Sequence, residues 1–144
     1  MVAALAEEKT AKLVIANRDV KKADELARHA NELGLKSETM PLEKAQDAAL
    51  DAGIIVNATS IGLGNEPSPI DSEHIKKGSI VYDIVYRPIV TDLLEQAKFA
   101  EAQVVYGYEM LLEQGARAFE IWTGMRAPRD VMKKNLLGIF GEPT

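Results

Sequence analysis

The sequence predicts an α/β fold, a parallel sheet with helices on both faces. Short β-rich apolar runs alternate with segments of helical spacing. Those helical segments run about 10 to 14 residues, the length that carries a chain from one parallel strand to the next. One of these runs, IIVNAT, is continuously apolar rather than alternating, as in a strand covered on both sides,. Together these features read as consecutive βαβ units.

Lys12 to Asn17 (KLVIAN) is the first such run, and Val20 to Leu33 then switches to helical spacing. Val20, Ala23, Leu26, Ala27, Ala30 and Leu33 fall on one face of that helix,. Asp19 stands where an N-cap belongs and Gly34 just past the helix end, so both ends are marked,. A strand over Ser37 to Leu42 and a short helix over Glu43 to Leu50 follow. Ile54 to Thr59 (IIVNAT) predicts a strand buried on both faces, and IGLGNEPSPI, Ile61 to Ile70, predicts a loop,. Ser79 to Ile84 (SIVYDI) and Gln103 to Tyr106 (QVVY) predict two more strands, with a helix over Thr91 to Ala100 between them. Tyr108 to Trp122 is a helix closed by Thr123 and Gly124. Pro128 to Leu137 is the last helix, with Pro128 at its first position, where a missing amide hydrogen costs no hydrogen bond,.

A chain of 144 residues predicts a single domain over 1–144, and 47% hydrophobic with 27% charged residues is the composition of a folded one,. Seventeen Lys and Arg against 22 Asp and Glu leave a net charge of −5, which argues against nucleic acid or anionic membrane as a partner,. A local anion site is compatible with that balance. The absence of cysteine removes disulfides, thiolate nucleophiles and Cys-based zinc,. His29 and His74 are far apart among polar residues and read as exposed imidazoles without a metal or triad role. No apolar stretch approaches the roughly 18 residues of a membrane span, and MVAALAEEKT is too short and acidic for a secretory signal, so the expected location is cytoplasmic,.

In open parallel sheets ligands lie beyond the carboxyl ends of the strands. Arg18 follows the first visible strand, where a dinucleotide-binding fold meets the adenosine ribose. An acidic residue there suits the free 2′-hydroxyl of NAD, whereas a guanidinium fork suits a 2′-phosphate, so the expected cofactor is NADP. Asp19 next to it would repel a phosphate unless its carboxylate is turned to the helix amides as a cap, and Lys22 offsets the charge,. Asn57, Thr59 and the Ala58, Ser60 and Gly62 around them put small side chains where a ribose or nicotinamide approaches closely,. Tyr86 stands on a turn after the strand that contains Asp83, and Met110 and Gln114 lie one turn apart on a helix that starts near Gly107,. A thioether packs on a nicotinamide ring, and a phenol or amide hydrogen-bonds the hydroxyls of a polyol. Neither a phenol at neutral pH nor an amide serves as the general base.

Asn17-Arg18, NATSIGL (Asn57 to Leu63), DIVYRPIVT (Asp83 to Thr91), GYEMLLEQGA (Gly107 to Ala116) and FEIWTG (Phe119 to Gly124) occur in this order. The set resembles the C-terminal NADP-binding domain of shikimate dehydrogenases, over about residues 2 to 138. That resemblance implies a Rossmann-like parallel sheet with flanking helices and NADP-dependent interconversion of 3-dehydroshikimate and shikimate. It implies that Asn17, Arg18 and Lys22 face the adenosine 2′-phosphate, that Ile84, Gly107 and Met110 lie near the nicotinamide, and that Tyr86 and Gln114 reach the substrate. Asp19 departs from the Thr or Ser usual in the family.

MVAALAEE resembles the helix that in the family follows a central strand and a Gly-rich phosphate turn, both preceded by a substrate domain. The first glycine here is Gly34. The sequence therefore reads as a domain truncated at its N-terminus, with the catalytic groups elsewhere. It also leaves open a noncatalytic binding or interaction module. Without the central strand, KLVIAN and IIVNAT are expected to carry unpaired edges that favour a homo-oligomer.

Overall fold

The computed structural model describes residues 1–64 and 66–143 and divides into two compact units, Met1–Leu50 and Asp51–Thr144. The first contains α1 (Val2–Glu7), β1 (Leu13–Asn17), α2 (Val20–Glu32), β2 (Ser37–Pro41) and α3 (Ala45–Ala49). β1 and β2 pair in parallel, with Leu13 opposite Ser37 and Asn17 opposite Pro41. Asp19 caps α2, and Gly34, at φ +80°, closes it. In that closing turn the Leu35 amide donates to the Ala30 carbonyl at 3.0 Å and the Gly34 amide to that of Asn31 at 2.9 Å,.

The buried face of α2 is narrower than its spacing predicts. Ala23, Ala27 and Ala30 are buried, whereas Val20, Leu26 and Leu33 are largely exposed. At about 100° per residue those three lie some 60° or more to either side of the alanine row, on the rims of the contact. The helix expected over 43–50 is also shorter. Leu42–Lys44 wind as a 3-10 turn after Pro41, and only Ala45–Ala49 are α-helical.

The second unit contains β3 (Ile54–Asn57), β4 (Ile80–Asp83), α4 (Asp92–Phe99), β5 (Gln103–Val105), α5 (Gly107–Thr123) and α6 (Arg129–Phe140). Its sheet has the order β3-β4-β5, all parallel, with Ile54 opposite Ile80, Asn57 opposite Asp83 and Ile80 opposite Gln103. Val81, Val85, Leu94, Ala97, Leu112 and Ala116 form much of its core. The Arg87–Pro88 peptide is cis. Asn65, inside the expected loop, lies outside the described residues.

Four expectations need correction in this unit. β3 is not buried on both faces: Ile55 is buried, but Ile54 is 54% exposed, and among the described residues the strand pairs only with β4. It also ends at Asn57, because the Asn57 side chain, not a ladder partner, accepts the next free amide, that of Thr59,. Pro128 precedes α6 instead of opening it. Its φ of −78° and ψ of 70°, with the Arg129 amide donating to the Ala127 carbonyl at 2.9 Å, make an inverse γ-turn,. His74 is half-buried, while His29 is exposed with Nδ1 3.7 Å from a Glu32 oxygen.

α6 packs on α5 through Arg129, which donates to Glu120 at 2.7 Å and to Glu113 at 3.2 Å. Near the end of α5 the face is bare, with Ile121 and the single tryptophan, Trp122, 81% and 83% exposed. Among the described residues no helix is long and apolar enough to cross a membrane.

Candidate functional site

In the first unit the site residues gather where β1 hands over to α2. The Asp19 amide donates to Asn17 Oδ1 at 2.9 Å, which fixes the turn. Asp19 Oδ1 in turn accepts from the Lys21 and Lys22 amides at 3.1 and 3.4 Å, so the carboxylate is directed at the helix end as a cap,. Its other oxygen lies 4.0 Å from Lys22 Nζ. Arg18 and Lys22 are exposed. This leaves a guanidinium and an ammonium beside a carboxylate already engaged by amides, a donor set that fits a phosphate dianion.

In the second unit a polar cluster around the buried Asp83 joins the ends of β3 and β4. Asn57 Nδ2 donates to the Ile61 carbonyl and to Asp83 Oδ1, both at 2.9 Å. Asn57 Oδ1 accepts from the Thr59 hydroxyl at 2.7 Å, and that hydroxyl accepts the Ile61 amide at 3.1 Å. Asn57 and Thr59, expected near a ribose or nicotinamide, thus shape the loop after β3 with their own side chains. Asp83 had no assigned role in the sequence, yet it is fully buried and accepts from the Val85 amide at 2.9 Å and the Thr91 hydroxyl at 2.6 Å. The signal that could have found it is a lone acid inside the apolar run SIVYDI.

Ile84 and Gly107 meet directly. A Cβ on Gly107 would lie 2.6 Å from the Ile84 carbonyl oxygen and 2.4 Å from that of Val85, so only glycine lets the start of α5 seat there,. Tyr86 is exposed beyond this contact, and its ring lies 5.3 Å from that of Phe140, centroid to centroid, at 53°. On α5 Met110 is half-buried and Gln114 exposed. Burial pushes the Tyr82 and Tyr108 phenols up, which keeps both protonated near neutrality,.

Residues 1–79 match the family described as shikimate / quinate 5-dehydrogenase, and residues 107–137 match the shikimate 5′-dehydrogenase C-terminal domain. The chain belongs to the shikimate/quinate dehydrogenase family. Among its relatives, the shikimate dehydrogenase (NADP(+)) of Nitrosopumilus maritimus is 49% identical over 140 residues, 97% of this chain and 51% of that protein. The chain thus spans about half the length of the curated relatives it matches. Solved dehydrogenases of the family share its fold. The quinate dehydrogenase of Corynebacterium glutamicum in complex with NAD superposes with a TM-score of 0.84 at 28% identity, over 95% of this chain and 50% of that one. The shikimate 5-dehydrogenase of Thermus thermophilus in complex with NADP(H) and shikimate superposes with a TM-score of 0.72 at 36% identity, over 90% and 47%.

Proposed function

We propose that the chain is the cofactor-binding half of an NADP-dependent shikimate dehydrogenase of the cytoplasm, and that its two units together serve as one nucleotide-binding domain. The observation that carries this reading is the turn after β1. There Asp19 caps α2 while the Arg18 and Lys22 side chains stay exposed, two cations of the kind that suits a phosphate,. On this reading Arg18, Lys22 and Asn17 hold the adenosine 2′-phosphate. Asn57, Thr59, Ile84, Gly107 and Met110 line the nicotinamide position, and NADP(H), when bound, supplies the hydride exchanged with the substrate.

Tyr86 and Gln114 orient shikimate or 3-dehydroshikimate through neutral hydrogen bonds to its hydroxyls. Both act here as hydrogen-bonding groups, and the proton exchanged in the carbonyl–alcohol interconversion is assigned to neither.

The test is a hybrid in which this chain replaces the matching 140 residues of the Nitrosopumilus maritimus enzyme. Shikimate-dependent reduction of NADP is the expected result. A folded hybrid that binds NADP without turnover refutes the enzymatic reading and leaves a noncatalytic nucleotide-binding module.

A further inference from the structure

Asp83 is a buried acid to which the reading above gives no task. Its side chain is completely enclosed, and the partners it accepts from are neutral: Asn57 Nδ2 and the Val85 amide on Oδ1, and the Thr91 hydroxyl on Oδ2. Withdrawing a carboxylate from water is costly even when it is hydrogen-bonded, and an apolar residue at the end of a core strand would avoid that cost. The positions of the three donors show what the carboxylate achieves. Val85 is at the start of the segment between β4 and α4, and Thr91 is at its end, where its hydroxyl also accepts the Leu94 amide at 3.4 Å and caps α4. One side chain therefore grips both ends of the segment that carries Tyr86. Through Asn57 it also reaches the loop after β3, where Gly62 packs so closely on Thr91 that an added Cβ would meet Thr91 Cγ2 at 3.0 Å. The Val85 carbonyl, just beyond the gripped amide, is the atom against which Gly107 seats α5, the helix of Met110 and Gln114.

We propose that Asp83 is a positioning residue, with Thr91 as its far anchor. Its carboxylate closes the 84–91 segment into a rigid loop and so sets where Tyr86 and the start of α5 stand. The structural part of this inference is independent of the enzymatic reading, and its catalytic consequence rests on that reading.

Thr91→Val removes the hydroxyl while keeping the shape, Thr91→Ser restores it, and Asp83→Ala removes the grip entirely. In the 144-residue chain, NMR of Thr91→Val is expected to show Val85 amide exchange accelerated at least about ten-fold, since its hydrogen bond to Asp83 loses the constraint at the other end. Val81, within β4, keeps its parent rate, and the nuclear Overhauser contact between the Tyr86 and Phe140 rings is lost. Thr91→Ser recovers both. An unchanged Val85 rate with the ring contact intact in Thr91→Val overturns the proposal, whatever Asp83→Ala does to folding.

In the hybrid enzyme, Thr91→Val is expected to lower kcat on the order of 10- to 100-fold, as for a misplacement of about 1 Å. The ratio of KM for NADP to KM for NAD should stay within about two-fold of the parent's, because the phosphate-binding cations lie on residues 17–22, and Thr91→Ser should restore kcat. A lowered melting temperature with kcat unchanged would assign Asp83 to stability alone and overturn the positioning role. An inactive parent hybrid refutes the enzymatic reading instead, and the exchange measurement still decides whether Asp83 holds the loop.

Discussion

At Arg18 and Asp19 adjacent residues of opposite charge have separate tasks, and substitution can tell them apart. A guanidinium pairs with a phosphate through two hydrogen bonds that a ribose hydroxyl cannot match. Arg18→Ala in the hybrid is therefore expected to raise KM for NADP by at least ten-fold while changing KM for NAD little, and equal effects on both would remove Arg18 from the phosphate site. Asp19→Thr keeps a capping oxygen and should leave both cofactors and the melting temperature nearly unchanged, whereas Asp19→Ala should cost about 1 kcal/mol in urea denaturation. For Tyr86→Phe and Gln114→Ala the expected loss is in shikimate turnover, with NADP affinity in calorimetry nearly intact. A large loss of NADP affinity would reassign both to the cofactor. The capping role of Asp19 was legible because its partners are two and three residues away. That of Asp83 was not, because its side-chain partners Thr91 and Asn57 are 8 and 26 residues away and only folding brings them together.

Among the elements, α5 and α6 show how two glycines of one sequence differ in consequence. Gly107→Ala would drive a methyl group into the Ile84 and Val85 carbonyls, backbone atoms that cannot swing aside. The expected loss is about 3 kcal/mol in urea denaturation. Gly138 lies inside α6 with nothing within 4 Å of an added Cβ, so Gly138→Ala should gain up to about 1 kcal/mol from helix propensity,. The two helices are also joined by a pH-sensitive contact. Hydrogen bonds from the Arg129 guanidinium and the Ala127 amide hold the Glu120 carboxyl below its ordinary value. A carboxyl lowered in the folded state stabilises above its unfolded pKa, and that contribution fades as the pH falls through the folded one. Glu120→Gln should thus melt below the parent at pH 7 and converge with it as the pH drops under about 4. A constant offset down to pH 3 would contradict the assignment. Element identity was readable because periodicity is local, as at Val20 to Leu33. Burial was not: Leu26 has the right phase but sits on the rim of the α2 contact, and Ile54 belongs to a strand that, among the described residues, is paired on one side only.

For the molecule as a whole, the decisive feature is that among the described residues β1 hydrogen-bonds only to β2, and β3 only to β4. Each strand offers an unpaired row of amides and carbonyls, which favours association. Light scattering of the isolated chain is expected to show a dimer or larger species, and a monodisperse monomer would show the edges to be silent. Pyrophosphate groups are commonly held by a glycine turn at a helix N-terminus, and the first glycine here is Gly34,. The isolated chain should therefore bind NADP weakly and oxidise no shikimate on its own, and micromolar affinity with turnover would refute this. The α/β class followed from the alternation of runs along the chain. The division into a two-stranded and a three-stranded sheet agrees with the unpaired edges expected on KLVIAN and IIVNAT, an expectation that rested on the family resemblance and not on either strand's own pattern. Trp122 gives this chain an optical property as well. As the single tryptophan, and 83% exposed, it should emit at the red, water-relaxed end of the indole range and be quenched readily by iodide. Any event that covers the end of α5 would shift that emission to the blue and shield it from the quencher, so the protein carries its own fluorescent gauge of contact at that surface.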